Sequence, residues 1–220
     1  MIGHHHQLLH QLIPLLEGND THGAVALATQ ALQSGTITVA QLYEEVLAPA
    51  LNRIEVPRER EAELIWREHL QSSIVQKIIG SVYPFVLAAR ERSDMPGKGK
   101  RVLLASPQEE YHEIGARMGA DFFFMLGYEV AYIGSNTPKE TLFSAVEETK
   151  PDLVVLSVTN YLNLAQLPST LEALRKRWPQ MKVYLGGSAL KHTGMSAADF
   201  LADGTLNSYD DIKKIAEAGR

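Results

Sequence analysis

Two different spacings of apolar residues divide this chain of 220 residues. Up to about residue 92 they recur every three to four positions, the mark of helices with one buried stripe. The run from His4 to Glu17 carries Leu8, Leu9, Leu12, Ile13, Leu15 and Leu16 at that spacing, with Pro14 expected to bend or break it. Gly18-Asn19-Asp20-Thr21 closes this helix and caps the next, predicted over Thr21 to Gln33 with Val25, Ala28, Ala31 and Leu32 turned inward and Ser34-Gly35 as the stop. A third helix begins at Thr38 and carries Val39, Leu42, Tyr43, Val46, Leu47, Ala50, Leu51 and Ile54, with a kink expected at Pro49. After Pro57 and a charged run from Arg58 to Glu63, a fourth passes through Ile65, Trp66, Leu70, Ile74, Ile78 and Val82. Four such helices joined by short loops predict a four-helix bundle over residues 1–92.

Ser93 to Lys100 is polar, rich in glycine and broken by proline, as a linker is. Beyond it, over 101–220, the pattern changes to short, almost continuous apolar runs: RVLLA from Arg101, YEVAYIG, LVVLSVT and VYLGG, separated by stretches of helix length. Alternation of this kind predicts a doubly wound parallel sheet covered by helices on both faces. In such sheets ligands enter at the carboxyl ends of the strands. The first strand there leads to Glu110-Tyr111-His112, and the helix after it is expected from about Glu113, where Gly115, Met118, Gly119, Phe122 and Met125 take helical spacing. Asp152 to Leu156 and Lys182 to Leu185 are the third and fourth strands. The later strand ends lead to Gly134-Ser135-Asn136-Thr137-Pro138, Ser157-Val158-Thr159-Asn160 and Gly186-Gly187-Ser188. A loop histidine offers a metal one ring nitrogen while the other needs an acceptor, and Glu110 is placed to be it.

Composition narrows the chemistry. A net charge of −5 and a pI near 5.9, with both signs interspersed, provide no positive field for nucleic acid. The absence of cysteine excludes disulfides, thiolate metal sites and a thiol nucleophile, so a metal must use histidine, carboxylate or a prebuilt cofactor. No signal-peptide pattern and no apolar run of membrane-spanning length is present, so the expectation is a cytoplasmic protein without membrane contact. His4-His5-His6 and His10 are read as a terminal feature and given no role.

Taken singly, these site signals are ordinary: loop histidines are commonly solvated, and Gly-Gly after a strand is commonly turn chemistry. Their spacing is not ordinary. The order Glu110-x-His112-x-x-Gly115, then Ser157-x-Thr159 after 41 intervening residues, then Gly186-Gly187 after 26 more, resembles the cobalamin-binding domain of methionine synthase, corrinoid methyl carriers and cobalamin photosensors. The resemblance covers about Lys100 to Arg220 and implies a flavodoxin-like sheet. It implies His112 as the metal ligand, displacing the cofactor's own dimethylbenzimidazole below cobalt, with the nucleotide tail in a slot beside Ser157, Thr159, Gly186 and Gly187. The cofactor-contacting positions it suggests are Glu110, Tyr111, His112, Ile114, Gly115, Gly134, Ser157, Thr159, Gly186, Gly187 and Ser188. One departure is Glu110, where the family carries aspartate; its extra methylene leads to the expectation of a shifted or water-mediated bond to the His112 ring.

The first half is similar to the helical cap over the upper cobalamin face in the same family, above all in LLEGNDTHGAVALATQALQSGTITVAQLYEEVLAPALNRI and in Glu68-His69. At helical spacing His69 shares a face with Ile65, Ser72, Ser73 and Gln76, so the pair is a candidate contact for the upper ligand. Photosensors of this type carry a tryptophan ten residues before the Glu-His pair; here that position is Arg58. Methyl, hydroxo or water is therefore as suitable an upper ligand as adenosyl. With no helix-turn-helix expected ahead of the cap, regulatory output is expected through a protein partner or a homo-oligomer. The function implied is a cobalamin-dependent sensor or regulator rather than a catalyst by itself. The alternative is a corrinoid carrier passing methyl groups between methyltransferase partners.

Overall fold

The computed structural model describes residues 3–53, 60–94 and 96–218, and the chain forms two compact units, Met1–Glu91 and Arg92–Arg220. The first is helical. Helix α1 (His4–Glu17) buries Leu8, Leu12 and Leu16, one residue per turn, and runs through Pro14 without a break. Pro14 stands in the last turn, and its carbonyl accepts from the Gly18 N–H at 2.9 Å. Helix α2 (Thr21–Gln33) starts where the Asp20 carboxylate accepts from the Gly23 N–H at 2.8 Å. It buries Ala24, Ala28 and Leu32, whereas Val25 and Ala31 lie half-buried, so the stripe is rotated from the expected one.

The third helix begins as α3 (Val39–Gln41), fixed by a capping box between Thr38 and Gln41. It widens into a π turn, Leu42–Leu47, and resumes as α4 (Ala48–Asn52). The irregularity expected at Pro49 takes the form of this widening just ahead of it, in which the Ala48 N–H donates to the Tyr43 carbonyl five residues back. Proline has no N–H and its ring crowds the carbonyl four residues before it; a π turn just ahead absorbs both faults while keeping Leu42, Tyr43, Val46 and Leu47 buried.

Helix α5 (Glu61–Ser81) and α6 (Tyr83–Arg92) meet at Val82 with a bend of 44°. Only the second half of the predicted α5 stripe is core: Ile74, Ile78 and Val82 are buried, while Ile65, Trp66 and Leu70 are exposed. Ile54, Pro57 and Arg58 fall outside the described residues, and with them the position that differs from the photosensor tryptophan. No single helix among the described residues is long and apolar enough to cross a membrane.

The second unit is a five-stranded, wholly parallel sheet of order β2-β1-β3-β4-β5, the flavodoxin-like order. Its strands are β1 (Arg101–Ala105), β2 (Glu129–Tyr132), β3 (Leu153–Ser157), β4 (Lys182–Gly186) and β5 (Gly204–Leu206). Ser157 and Gly186 are thus the last residues of their strands rather than loop residues, paired with each other in register. The three-residue β5 is too short to carry a pattern and was not among the predicted strands.

Helices α8 (Lys139–Thr149) and α9 (Leu167–Arg177) pack on one face, where Phe143, Val146, Leu171 and Leu174 join Leu103, Val154, Leu156 and Val183 in one buried cluster. Helices α7 (Ile114–Met125) and α10 (Tyr209–Ala218) pack together, with the rings of Phe122 and Tyr209 edge to face. The end of the expected linker belongs to this unit, because the Gly97 N–H donates to the Leu126 carbonyl at 2.8 Å.

Candidate functional site

The loop after β1 is held by its neighbours. Ser106 N–H donates to the Gly134 carbonyl (2.9 Å), Thr137 N–H to the Ser106 carbonyl (3.0 Å) and Asn136 N–H to the Glu110 carbonyl (2.8 Å). Glu109 takes a left-handed backbone, φ 65°, with its N–H on the Asn136 side chain at 2.8 Å. This lacing to the loop after β2 turns the side chain of the next residue, Glu110, into the protein.

Glu110 is fully buried, and five donors converge on its carboxylate. One oxygen accepts from the His112 N–H (3.1 Å) and contacts His112 Nδ1 at 2.5 Å. The other accepts from the Thr159 and Asn160 N–H groups (2.9 Å each) and from Asn163 Nδ2 (3.1 Å). Burial pushes the Glu110 pKa up. The bonds from the His112 ring and from the Asn160, His112 and Thr159 N–H groups outweigh it and hold the group at about 2, so it is an anion at neutral pH.

An anionic partner on Nδ1 assigns the proton of a neutral His112 ring to that nitrogen and leaves the lone pair at Nε2. The side chain is 60% exposed. The shifted or water-mediated bond expected of the longer carboxylate is corrected: the contact is direct. Glutamate's extra methylene is taken up because the buried carboxylate spans from the His112 ring to the turn after β3, one oxygen for each.

The remaining predicted positions sort by what the protein itself requires. Gly187 has φ +87° and a Cβ there would overlap the Val158 backbone, so its glycine is architectural. Gly134, at φ +96°, is likewise set by its turn. Gly115, in the first turn of α7, has no described atom within 4 Å of a built Cβ, and at Gly186 a Cβ would meet only the Leu206 carbonyl at 3.5 Å and Val155 at 3.7 Å. Neither is demanded by packing; both leave room for close approach by something else. Ser157 is buried, Thr159, Ser188 and Ile114 are half-buried, and Tyr111 is exposed, all at this edge of the sheet.

Glu68 and His69 lie on α5, in the helical unit. His69 Nε2 is 3.6 Å from Glu68, which also accepts from the Ser72 hydroxyl at 2.5 Å, and the histidine side chain is 68% exposed. Sequence reasoning missed Asn163 and the two backbone N–H groups after β3. The one signal available was a pair of asparagines, Asn160 and Asn163, in a short post-strand loop.

Among the described residues no three His, Cys, Asp or Glu side chains converge as they would around a bare ion. The flavodoxin-like sheet thus presents one carboxylate-held imidazole at the carboxyl ends of its strands, with open space at Gly115 and little crowding at Gly186.

Residues 100–204 match the family described as the B12 binding domain. This segment, a little under half of the chain, is a B12-binding domain, and cobalamin is its cofactor. It is 31% identical over 175 residues, 79% of this chain and 56% of the relative, to the HTH-type transcriptional repressor CarH of Myxococcus xanthus. It is 22% identical over 159 residues, 71% of this chain and 72% of the relative, to the corrinoid protein DSY3155 of Desulfitobacterium hafniense. The chain thus spans little more than half of that repressor. Among solved structures it is similar to the Methanosarcina barkeri monomethylamine corrinoid protein, with a TM-score of 0.79, 13% identity, 97% of this chain and 99% of that one covered. That likeness speaks for the fold.

Proposed function

We propose that this protein is a cobalamin-dependent sensor or regulator that holds the cofactor with its own tail base displaced and His112 beneath the cobalt, and acts through a partner protein or self-association. The observation carrying the lower-face assignment is the buried Glu110 carboxylate on His112 Nδ1, which orients the ring and raises the basicity of Nε2. Ser157, Thr159, Gly115, Gly186 and Ser188 would line the tail's path, the glycines by admitting close approach and the hydroxyls by satisfying buried polar atoms. Glu68 and His69 are assigned to the upper ligand, for which methyl, hydroxo and adenosyl are the choices. With a methyl or adenosyl upper ligand, bound cobalamin would supply a carbon–cobalt bond that light or a nucleophile can break; the protein's residues would orient it and tune its lower side.

The sensor reading is supported by the 175-residue similarity to the repressor, which is longer than the B12-binding segment and so reaches into the helical unit. The second reading, a corrinoid methyl carrier serving methyltransferases, draws on the similarity to the Desulfitobacterium corrinoid protein over most of both chains. Reconstitution with methyl-, adenosyl- and hydroxocobalamin, in the dark and then under green light, separates them by visible spectrum and gel filtration. A light-dependent change of oligomer is the expected result. Turnover of the methyl group with a corrinoid methyltransferase, and no response to light, would replace the sensor with the carrier.

A further inference from the structure

The helical unit holds a cavity of about 610 Å3 bordered by residues of α1, α4 and α5. It lies beside the first half of α5, the half whose Ile65, Trp66 and Leu70 stay out of the core. The inner wall is apolar: Leu16 and Ala50 are 2% and 3% exposed, with Ile13 and Leu64 half-buried beside them. Exposed Arg53 and Arg67 stand at the opening with Gln71, and Glu17 is the one carboxylate there among the described residues. Neither guanidinium meets a carboxylate among the described residues; that of Arg67 lies over the neighbouring Trp66 ring, 5.4 Å from its centroid, and this ring borders the cavity too. Ligand pockets are typically about 300–1,000 Å3, apolar within, with a few polar groups that fix orientation.

We propose that this cavity binds a small organic monocarboxylate, its carboxylate held by Arg53 and Arg67 and its apolar body against Ile13, Leu16, Ala50 and Leu64. A guanidinium fork matches the two oxygens of a carboxylate. Two guanidiniums against the single Glu17 carboxylate leave one net positive charge at the opening, which suits a monoanion better than a dianion. The apolar wall gains from a hydrocarbon body, which an inorganic anion lacks. Every residue named belongs to the helical unit, so the inference stands apart from the cobalamin reading.

The test is a fluorescence titration of the full chain carrying Trp178→Phe, which leaves Trp66 as the only tryptophan; Trp178 packs on Phe143 in the other unit. Hexanoate is expected to give a saturable blue shift of Trp66 emission. 1-Hexanol should need at least about 10-fold more for the same shift, and inorganic phosphate should give none. Arg53→Gln and Arg67→Gln should each weaken hexanoate by about 10-fold, because each removes a charge-assisted bond. Gln71→Phe, which narrows the opening from a half-buried helix position and keeps both arginines, should abolish the shift with circular dichroism unchanged. An equal response to hexanol or to phosphate would overturn the inference, as would the absence of a saturable shift with hexanoate. Hexanoate binding that is unaltered in both folded arginine variants, or in Gln71→Phe, would overturn it as well. Should an arginine variant not fold, the comparison of hexanoate with hexanol on the chain that keeps both arginines decides.

Discussion

Two Glu-His pairs, one in each unit, could hardly differ more. Glu68 and His69 are sequence neighbours on a helix, 3.6 Å apart, with the imidazole 68% exposed and the carboxylate shared with Ser72. Glu110 and His112 sit on a loop, the carboxylate with no exposure at all and the ring nitrogen 2.5 Å away. Adjacent residues on a helix point about 100° apart, so the first pair meets only through side-chain flexibility. The second is built by backbone: left-handed Glu109 turns the carboxylate inward, and N–H groups from another strand's end receive it. What makes a histidine a ligand of defined geometry is the burial and full satisfaction of its partner, not nearness in the chain.

The contrast breaks first at the imidazole. His112→Ala should leave the apo fold intact, since the side chain is largely exposed. Any cobalamin taken up should return to base-on coordination or wash out; an unchanged visible spectrum would remove the axial assignment.

Removing the carboxylate comes next. Glu110→Ala strands the half-buried Thr159 and Asn160 N–H groups, and at about 1–3 kcal/mol for each unsatisfied donor when fully buried the cost in urea unfolding of the α/β unit should lie towards the low end of roughly 2–6 kcal/mol. The same group predicts a pH limb. Its pKa falls from 4.5 to about 2 on folding, so the folded form binds the proton more weakly than the unfolded one. That contribution is complete above about pH 4.5 and is lost as pH drops from there towards 2, on the order of 3 kcal/mol in all. Glu110→Gln, which does not titrate, should flatten this limb, and equal acid sensitivity in both proteins would contradict it.

The two glycines of the slot sharpen the distinction between architecture and site. Gly187→Ala should destabilise the apo unit by roughly 1–3 kcal/mol, through its positive φ and its approach to Val158. Gly186→Ala should leave apo stability within about 1 kcal/mol, yet weaken cobalamin binding, measured by equilibrium titration, if the tail passes there. The smallest change is expected from His69→Ala: a shift under about 0.5 kcal/mol in apo stability, with any effect confined to the rate at which the upper ligand is released.

Much of this was legible along the chain. The His4–Glu17 and Thr21–Gln33 helices have the bounds their spacing suggests, and RVLLA is a strand from end to end, because helix and strand periods are local properties. The Glu110-x-His112 relation was legible for the same reason, being confined to three residues. The π turn ahead of Pro49 was not, since the widening goes with the burial of Tyr43 and Val46, which is a matter of tertiary packing. Nor was the exposure of Trp66 and Leu70, whose spacing matches that of buried Ile74 and Ile78.

What sequence alone determined, then, was most of the helices, four of the five strands and the loop that carries Glu110 and His112. Tertiary structure decided how that imidazole is held: Glu110's second oxygen is met by Thr159, Asn160 and Asn163, 49 to 53 residues further on. Parallel strands have to be joined by long crossovers, so residues that share one edge are far apart in the chain, and only the register of β1 against β3 brings them within hydrogen-bonding reach.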